Sequence, residues 1–207
     1  MTLSQGALIA LGLLTAAPAG ALPVISEVFY DAVGTDDGQS FVELYGAAGT
    51  SLDGVVIEGV NGADGAVTHT LTLAGTFGAD GLFVVADRTS AGATSVAGAD
   101  LLLDFDFQNG PDSVLLRMAG VVFDALGYGS FLPGEFNLGE GAPALDAPAG
   151  ESLARVFANV DTGDNAADFL AGAPTPGSAA LALPEPASAA LLGLGMLGLA
   201  RVGRRRR

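Results

Sequence analysis

The chain has 207 residues, with 23 Asp and Glu, eight Arg, no Lys and one His, and its net charge is −15. This charge argues against a nucleic-acid ligand, because binding to phosphates needs clustered Lys and Arg. The absence of Cys excludes disulfides, thiol catalysis and Cys-based zinc sites, and a single His excludes a His-rich metal site.

The two ends of the chain differ chemically from its body. Residues 22–183 contain 22 acidic residues and three Arg, a net charge of −19. At the N-terminus an apolar run over 7–14 precedes Ala19-Gly20-Ala21, which matches the small-x-small pattern of signal cleavage. We predict a signal peptide over 1–21, with the mature chain starting at Leu22. The alternative is a buried N-terminal helix of the domain.

The body consists of short apolar runs separated by Gly, Asp and Asn, a pattern typical of β-strands. The predicted strands are 24–30, 41–45, 55–60, 67–73, 82–86, 101–107, 114–118, 121–125 and 152–157. This spacing predicts an all-β, immunoglobulin-like β-sandwich over 22–178. We expect a long loop over 129–150 and one helical turn within 164–173. The Pro, Ala and Gly-rich residues from Ala171 predict a linker, which we place at 179–183 once the domain has ended.

Two glutamates within predicted strands, Glu27 and Glu43, are candidates for paired carboxylates in acid–base catalysis. The favoured interpretation is that they bond to nearby backbone or pair with Arg117 or Arg155. No Ser has a His in a nucleophile-elbow setting. We therefore assign no catalytic residues and predict that the protein is not an enzyme.

Clustered carboxylates raise the question of calcium, which prefers oxygen ligands. The candidate ligands lie in two loops and are Asp104, Asp106, Asp112, Asp161, Asp164 and Asp168. None has the spacing of an EF-hand loop, and outward acids also keep an exported, Lys-free domain soluble. We therefore predict no metal or cofactor, with calcium as the alternative.

The C-terminal residues 184–207 have three parts in a fixed order. Pro184-Glu185-Pro186 comes first, fourteen uncharged residues over 187–200 follow, and an arginine cluster ends the chain. The cluster comprises Arg201, Arg204, Arg205, Arg206 and Arg207. As a helix, residues 187–202 would be about 24 Å long, and arginine side chains can extend to the membrane surface to complete the span. The arginines are expected on the cytoplasmic side.

This tail resembles the PEP-CTERM sorting signal of exported proteins in Gram-negative bacteria that make exopolysaccharide. The resemblance implies a transient anchor in the inner membrane and processing by an exosortase, a membrane-embedded, transpeptidase-like enzyme. The alternative is an ordinary C-terminal anchor that is never cut.

The body resembles the lamin-tail domain (LTD). The similar segments are I-S-E-V at 25–28, E-L-Y at 43–45, N-G-P-D-S-V-L-L at 109–116, V-F-D at 122–124 and S-L-A-R at 152–155. The resemblance implies an immunoglobulin-like sandwich that serves as a binding or tethering module and brings no catalytic residues.

These features together predict a secreted, non-enzymatic module at the cell surface or in the extracellular matrix. The expected partners are an exosortase-type enzyme, the inner membrane, and an extracellular polysaccharide or a surface protein. A calcium-dependent adhesive or polysaccharide-binding protein is one alternative, and an accessory to an extracellular hydrolase is another.

Overall fold

The structure is a computed structural model that describes residues 22–183; the predicted signal peptide and the predicted tail helix lie outside these residues. Ten strands and one short helix are present, in the order β1 (Val24–Phe29), β2 (Phe41–Tyr45), β3 (Val55–Asn61), β4 (Val67–Thr72), β5 (Leu82–Asp87), β6 (Leu101–Leu103), β7 (Asp112–Met118), β8 (Val121–Tyr128), β9 (Ser152–Arg155), α1 (Asn165–Asp168) and β10 (Phe169–Gly172). Among the described residues no helix is long and apolar enough to cross a membrane.

The strands form two sheets that pack as a sandwich, which confirms the all-β prediction. One sheet has the order β10-β9-β1-β2-β5-β6 and the other β4-β3-β7-β8. Every pairing is antiparallel except that between β5 and β6. The Val, Ile and Phe residues of these runs supply the β-branched and aromatic side chains that pack well on a pleated surface.

The core lies between the two sheets, because alternate residues of each strand point inward. Ile25, Leu44 and Val85 come from the larger sheet and Ile57 and Leu116 from the smaller one, and all five are fully buried. A second, smaller buried cluster includes Phe29, Phe41, Val84 and Ala86, which belong to strands of the larger sheet. This cluster is separate from the core between the sheets and lies on the outer face of the larger sheet, so loop residues have to cover that face.

The strand predicted over 101–107 is shorter in the structure, where β6 ends at Leu103. Phe105 and Phe107 are nevertheless buried, as their alternation with Asp104 and Asp106 indicates. The backbone amide of Phe105 donates to the Asp87 carboxylate at 3.1 Å. After β6 ends, the Asp87 side chain therefore takes the place of a neighbouring strand as the hydrogen-bond acceptor for the Phe105 amide.

The segment after β9 departs further from the sequence prediction. The predicted helical turn is present as α1, but it is followed by β10, which pairs with β9 and was not predicted.

Residues 173–183, which we call the strap, are hydrogen-bonded to the body. The backbone amide of Ala158 donates to the Ala180 carbonyl at 2.8 Å, and the Asn159 side chain bonds to both the amide and the carbonyl of Ala182.

Candidate functional site

The most highly charged buried site is centred on Arg155, at the end of β9. Its guanidinium contacts both carboxylate oxygens of Asp124 at 3.1 and 3.2 Å and the Asp168 carboxylate at 2.8 Å. Its Nε donates to the Ile25 carbonyl at 2.9 Å, and its Cζ lies 4.6 Å from the centre of the Phe169 ring. A buried guanidinium thus has anionic, polar and aromatic partners together.

Asp124 connects the two sheets of the sandwich. It lies on β8, opposite Leu116 of β7, and its carboxylate accepts the backbone amide of Ile25 on β1. Asp124 is fully buried, so an unpaired charge there would be costly. Because Arg155 belongs to the larger sheet, the Arg155–Asp124 pair fixes the relative position of the two sheets.

Glu140 lies beside this pair and has no basic partner of its own within the described residues. Burial is the main cause that raises the pKa of Glu140 to about 7, and the nearby Asp124 and Asp161 carboxylates add to it. Burial also raises the pKa of Asp124 to about 6, against the opposing effect of Arg155. The folded protein therefore holds protons near neutral pH that ordinary carboxyl groups have released.

We expect the protein to become more stable when the pH is lowered from about 7.5 to about 5. Between the ordinary carboxyl pKa values and the raised ones, the folded chain binds more protons than the unfolded chain. The contribution of Asp124 and Glu140 is complete below their ordinary pKa and is lost as the pH rises through about 6 and about 7. Thermal unfolding at a series of pH values measures the effect. Glu140→Gln should flatten the profile, and a Tm that falls over this range on acidification would contradict the assignment.

A second buried site contains the two glutamates that the sequence singled out. Glu27 and Glu43 lie opposite each other on β1 and β2, and both are almost fully buried. Arg117 and Arg155 do not pair with them, so the arginine part of the favoured interpretation is wrong; both carboxylates bond to backbone instead, but to residues distant in sequence. Arg117 contacts Glu58, and Arg155 contacts Asp124, as described above.

The strap supplies the partners of these two carboxylates. Glu27 accepts the backbone amide and the hydroxyl of Thr175, both at 2.8 Å, and also the Ser152 hydroxyl. Glu43 accepts the Gly177 amide at 2.7 Å and the Ser26 hydroxyl at 2.8 Å. Burial raises the pKa of Glu43, and the neighbouring charge of Glu27 acts in the same direction. The pair thus holds a chain segment in place, and its carboxylates have no free approach for a substrate.

The calcium candidates of the first loop do not converge on a site. Asp104 and Asp106 are exposed, and Asp112 is buried, where it accepts the Gly62 amide at 2.8 Å. Burial raises the pKa of Asp112 and of Asp106. The lone His69 bonds to Thr68 and packs its ring edge against Phe107, which is a structural role.

The candidates of the second loop have structural partners. Asp164 caps α1 by accepting the Ala166 amide, and Asp168 accepts both the amide and the hydroxyl of Thr162 besides pairing with Arg155. Within residues 22–183, one set of three acidic side chains has oxygens within 4.8 Å of one another, and it consists of Asp124, Glu140 and Asp161. Of these, only Asp161 was a candidate from the sequence. The Arg155 guanidinium already contacts Asp124 and Asp161 in this set.

Sequence reasoning missed the roles of Asp124 and Glu140. A signal for Asp124 was present, because it stands two residues before Leu126 in a strand and therefore points to the same, inward face. An acidic residue at a core position requires a buried cation, and Arg155 is one of only three Arg in the body. Glu140 carries no such signal, since it lies in the Gly and Pro-rich loop before β9.

Comparison with protein-family models, with curated proteins and with solved structures finds no match for this chain. The residues of the predicted sorting tail and of the signal cleavage site lie outside the described residues, apart from Leu22.

Proposed function

We propose that this chain is an exported, non-enzymatic binding or tethering module with an immunoglobulin-like fold of the lamin-tail type. Its predicted signal peptide directs export. Its PEP-CTERM-like tail, a single apolar helix, holds the module in the inner membrane until an exosortase-type enzyme processes it. The module then reaches the cell surface or the extracellular matrix, where a polysaccharide or a surface protein is its partner.

The observation that carries the proposal is the structural use of the buried polar groups in the body. Arg155, Asp124 and Asp168 neutralise one another, while Glu27 and Glu43 bond the strap. The carboxylates that catalysis would need are thus already engaged. A scaffold of this kind suits display of its loops better than catalysis, because binding on β-sandwiches resides in loops.

Two shallow clefts, of about 270 and 260 Å³, are consistent with a binding module that has no catalytic site. The first has Phe29 and Phe41 in its floor with Pro174 and Pro176 beside them. The second lies next to Arg117 at the tip of the β7–β8 hairpin. The first cleft has Ser95 but no base, and in the second the Glu58 carboxylate beside Thr70 is already paired with Arg117, so neither cleft offers a nucleophile with a free base.

The test is processing of the tail in the native host, followed by intact mass of the mature protein. The mature form of the unsubstituted protein should begin at Leu22 and lack the residues beyond the processing site. Changing Pro184 and Pro186 to Ala should leave the chain at full length in the inner membrane. Pro133→Ala, in an exposed loop of the body, is the matched control and should be processed like the parent. Normal processing of the double variant would show that the tail is not a sorting signal.

A further inference from the structure

The sandwich has two chemically different ends, and the pairing of the strands identifies them. Val24 lies opposite Tyr45, and Met118 lies opposite both Val55 and Val121, so these residues mark one end of each sheet. The Ile25–Asp124 hydrogen bond brings these two sheet ends together. At the other end, the rings of Tyr30 and Tyr128 stack with their centres 4.3 Å apart.

We call the first end the exit end, because both ends of the described chain lie there. It comprises Leu22 and the loops 46–54, 73–81, 118–122 and 156–162. We call the other the acidic end, which comprises the loops 30–40, 61–66, 103–112 and 145–151. The four loops of the acidic end contain nine Asp or Glu, with exposed Arg88 beside them through its bond to Leu103, whereas those of the exit end contain three acidic residues, Asp53, Asp80 and Asp161.

The strap fixes where the chain leaves the body. Ala180 and Ala182 are hydrogen-bonded to Ala158 and Asn159, which belong to the exit end. Leu183 follows and is 87% exposed. Only four residues separate Ala182 from Ala187, the first residue of the apolar stretch in the tail. Even when the chain is fully extended, the five residue-to-residue steps between them reach at most about 18 Å.

This distance leaves little room between the body and a membrane. The headgroup layer on one side of a bilayer is about 5–8 Å thick, given the difference between the total and the hydrocarbon thickness. Subtracting this thickness from the reach of about 18 Å leaves about 10–13 Å. A chain anchored from Ala187 therefore keeps the exit end within that distance of the headgroup surface. The body cannot invert on so short a tether, because the eight residues of β8 alone span about 26 Å between the two ends.

The surface of the exit end suits a lipid interface. Its exposed apolar side chains include Leu22 at 59% and Val121 at 65% exposure, together with Val122 and Phe157. Apolar side chains at such a surface can insert at the boundary between headgroups and acyl chains. The acidic end also exposes apolar side chains such as Leu145, but there they stand among carboxylates that an anionic bilayer repels.

We propose that the exit end is a docking surface for the phospholipid headgroup layer. In this orientation the exit end contacts the membrane and the loops of the acidic end face away from it. This inference rests on the proposed membrane anchorage by the tail. It assigns the four acidic-end loops to recognition, because they point away from the bilayer while the module is anchored.

The experiment uses the full chain in vesicles of phosphatidylethanolamine and phosphatidylglycerol that carry nitroxide-labelled headgroups. The protein has no Cys, so a single fluorophore can be attached to Val121→Cys at the exit end or to the matched control Ala63→Cys at the acidic end. Both residues are exposed. We expect the nitroxide lipids to quench the label at residue 121 at least threefold more strongly than the label at residue 63.

Vesicle flotation separates the two proposals. A protein that floats with the vesicles but shows equal quenching at both positions, or stronger quenching at residue 63, overturns the docking surface and leaves the anchor intact. A protein that does not float overturns the anchorage, and the docking inference fails with it. Circular dichroism of both labelled variants verifies that the β-sandwich is folded.

Discussion

Replacing Arg155 by Met is expected to lower the free energy of unfolding by about 3–5 kcal/mol. Arg155 neutralises two carboxylates, Asp124 and Asp168, and all three side chains are almost fully buried. Methionine fills much of the same volume but leaves both acids uncompensated. The contact between the guanidinium and the Phe169 ring is lost as well. Urea unfolding measures the loss, and an unchanged m-value shows that the mutant still unfolds in two states.

The matched control is Arg117→Met. Arg117 pairs with Glu58, but its side chain is 32% exposed, so the pair is worth at most about 1 kcal/mol. Comparable losses for the two variants would contradict the central role of the Arg155 site. The Arg155 variant should also gain stability more steeply on acidification than the parent does. Without the guanidinium, the pKa of Asp124 rises further, and the folded state binds its proton more strongly.

Ending the chain after Gly172 is expected to destabilise the body by about 5 kcal/mol or more, because it removes three hydrogen bonds to charged groups that contribute about 1.5–3 kcal/mol each. The truncation removes the amides of Thr175 and Gly177 and the Thr175 hydroxyl from the buried Glu27 and Glu43. It also removes Pro174 and Pro176 from the cleft that they line together with Phe29 and Phe41. Thermal and urea unfolding of the truncated chain measure the loss.

The matched control ends after Leu183 and retains the strap. It should unfold like the full chain, and equal stability of the two truncations would show that the strap is dispensable. Should the shorter chain fail to fold, Thr175→Val in the full chain tests the same contact. That variant keeps the shape of the side chain but removes the hydroxyl that bonds Glu27, so it should lose about 1–2 kcal/mol.

Much of the sandwich follows from local sequence, because each central strand is a run of apolar residues between turn residues. The same argument could not find β10. Its four residues, Phe169–Gly172, are too few to show a period, and the strand is defined by pairing with β9. The alternation of side chains over 101–107 is consistent with the burial of Phe105, but the same pattern extended β6 too far. Burial follows from the alternation of side chains, whereas strand length depends on a neighbouring backbone.

The partners of the buried acids lay beyond local reasoning. Glu27 and Thr175 are 148 residues apart in sequence, and Glu43 and Gly177 are 134 apart. No spacing rule links such pairs. The composition limited the possible cationic partners of Asp124 to the three Arg of the body. Which of the three pairs with it depends on the fold, and it is Arg155.

The course of the strap also determines how the body responds to a pulling force. After β10 the chain turns at Gly172 and runs back past Glu27 and Glu43 to the contact with Asn159. A load applied at Leu183 and directed away from the exit end therefore acts along the strap. Such a load shears its hydrogen bonds together, whereas a load across the strap would open them one at a time. A module tethered through this segment resists the pulling force by sharing it among several hydrogen bonds, three of which end on the buried carboxylates of Glu27 and Glu43.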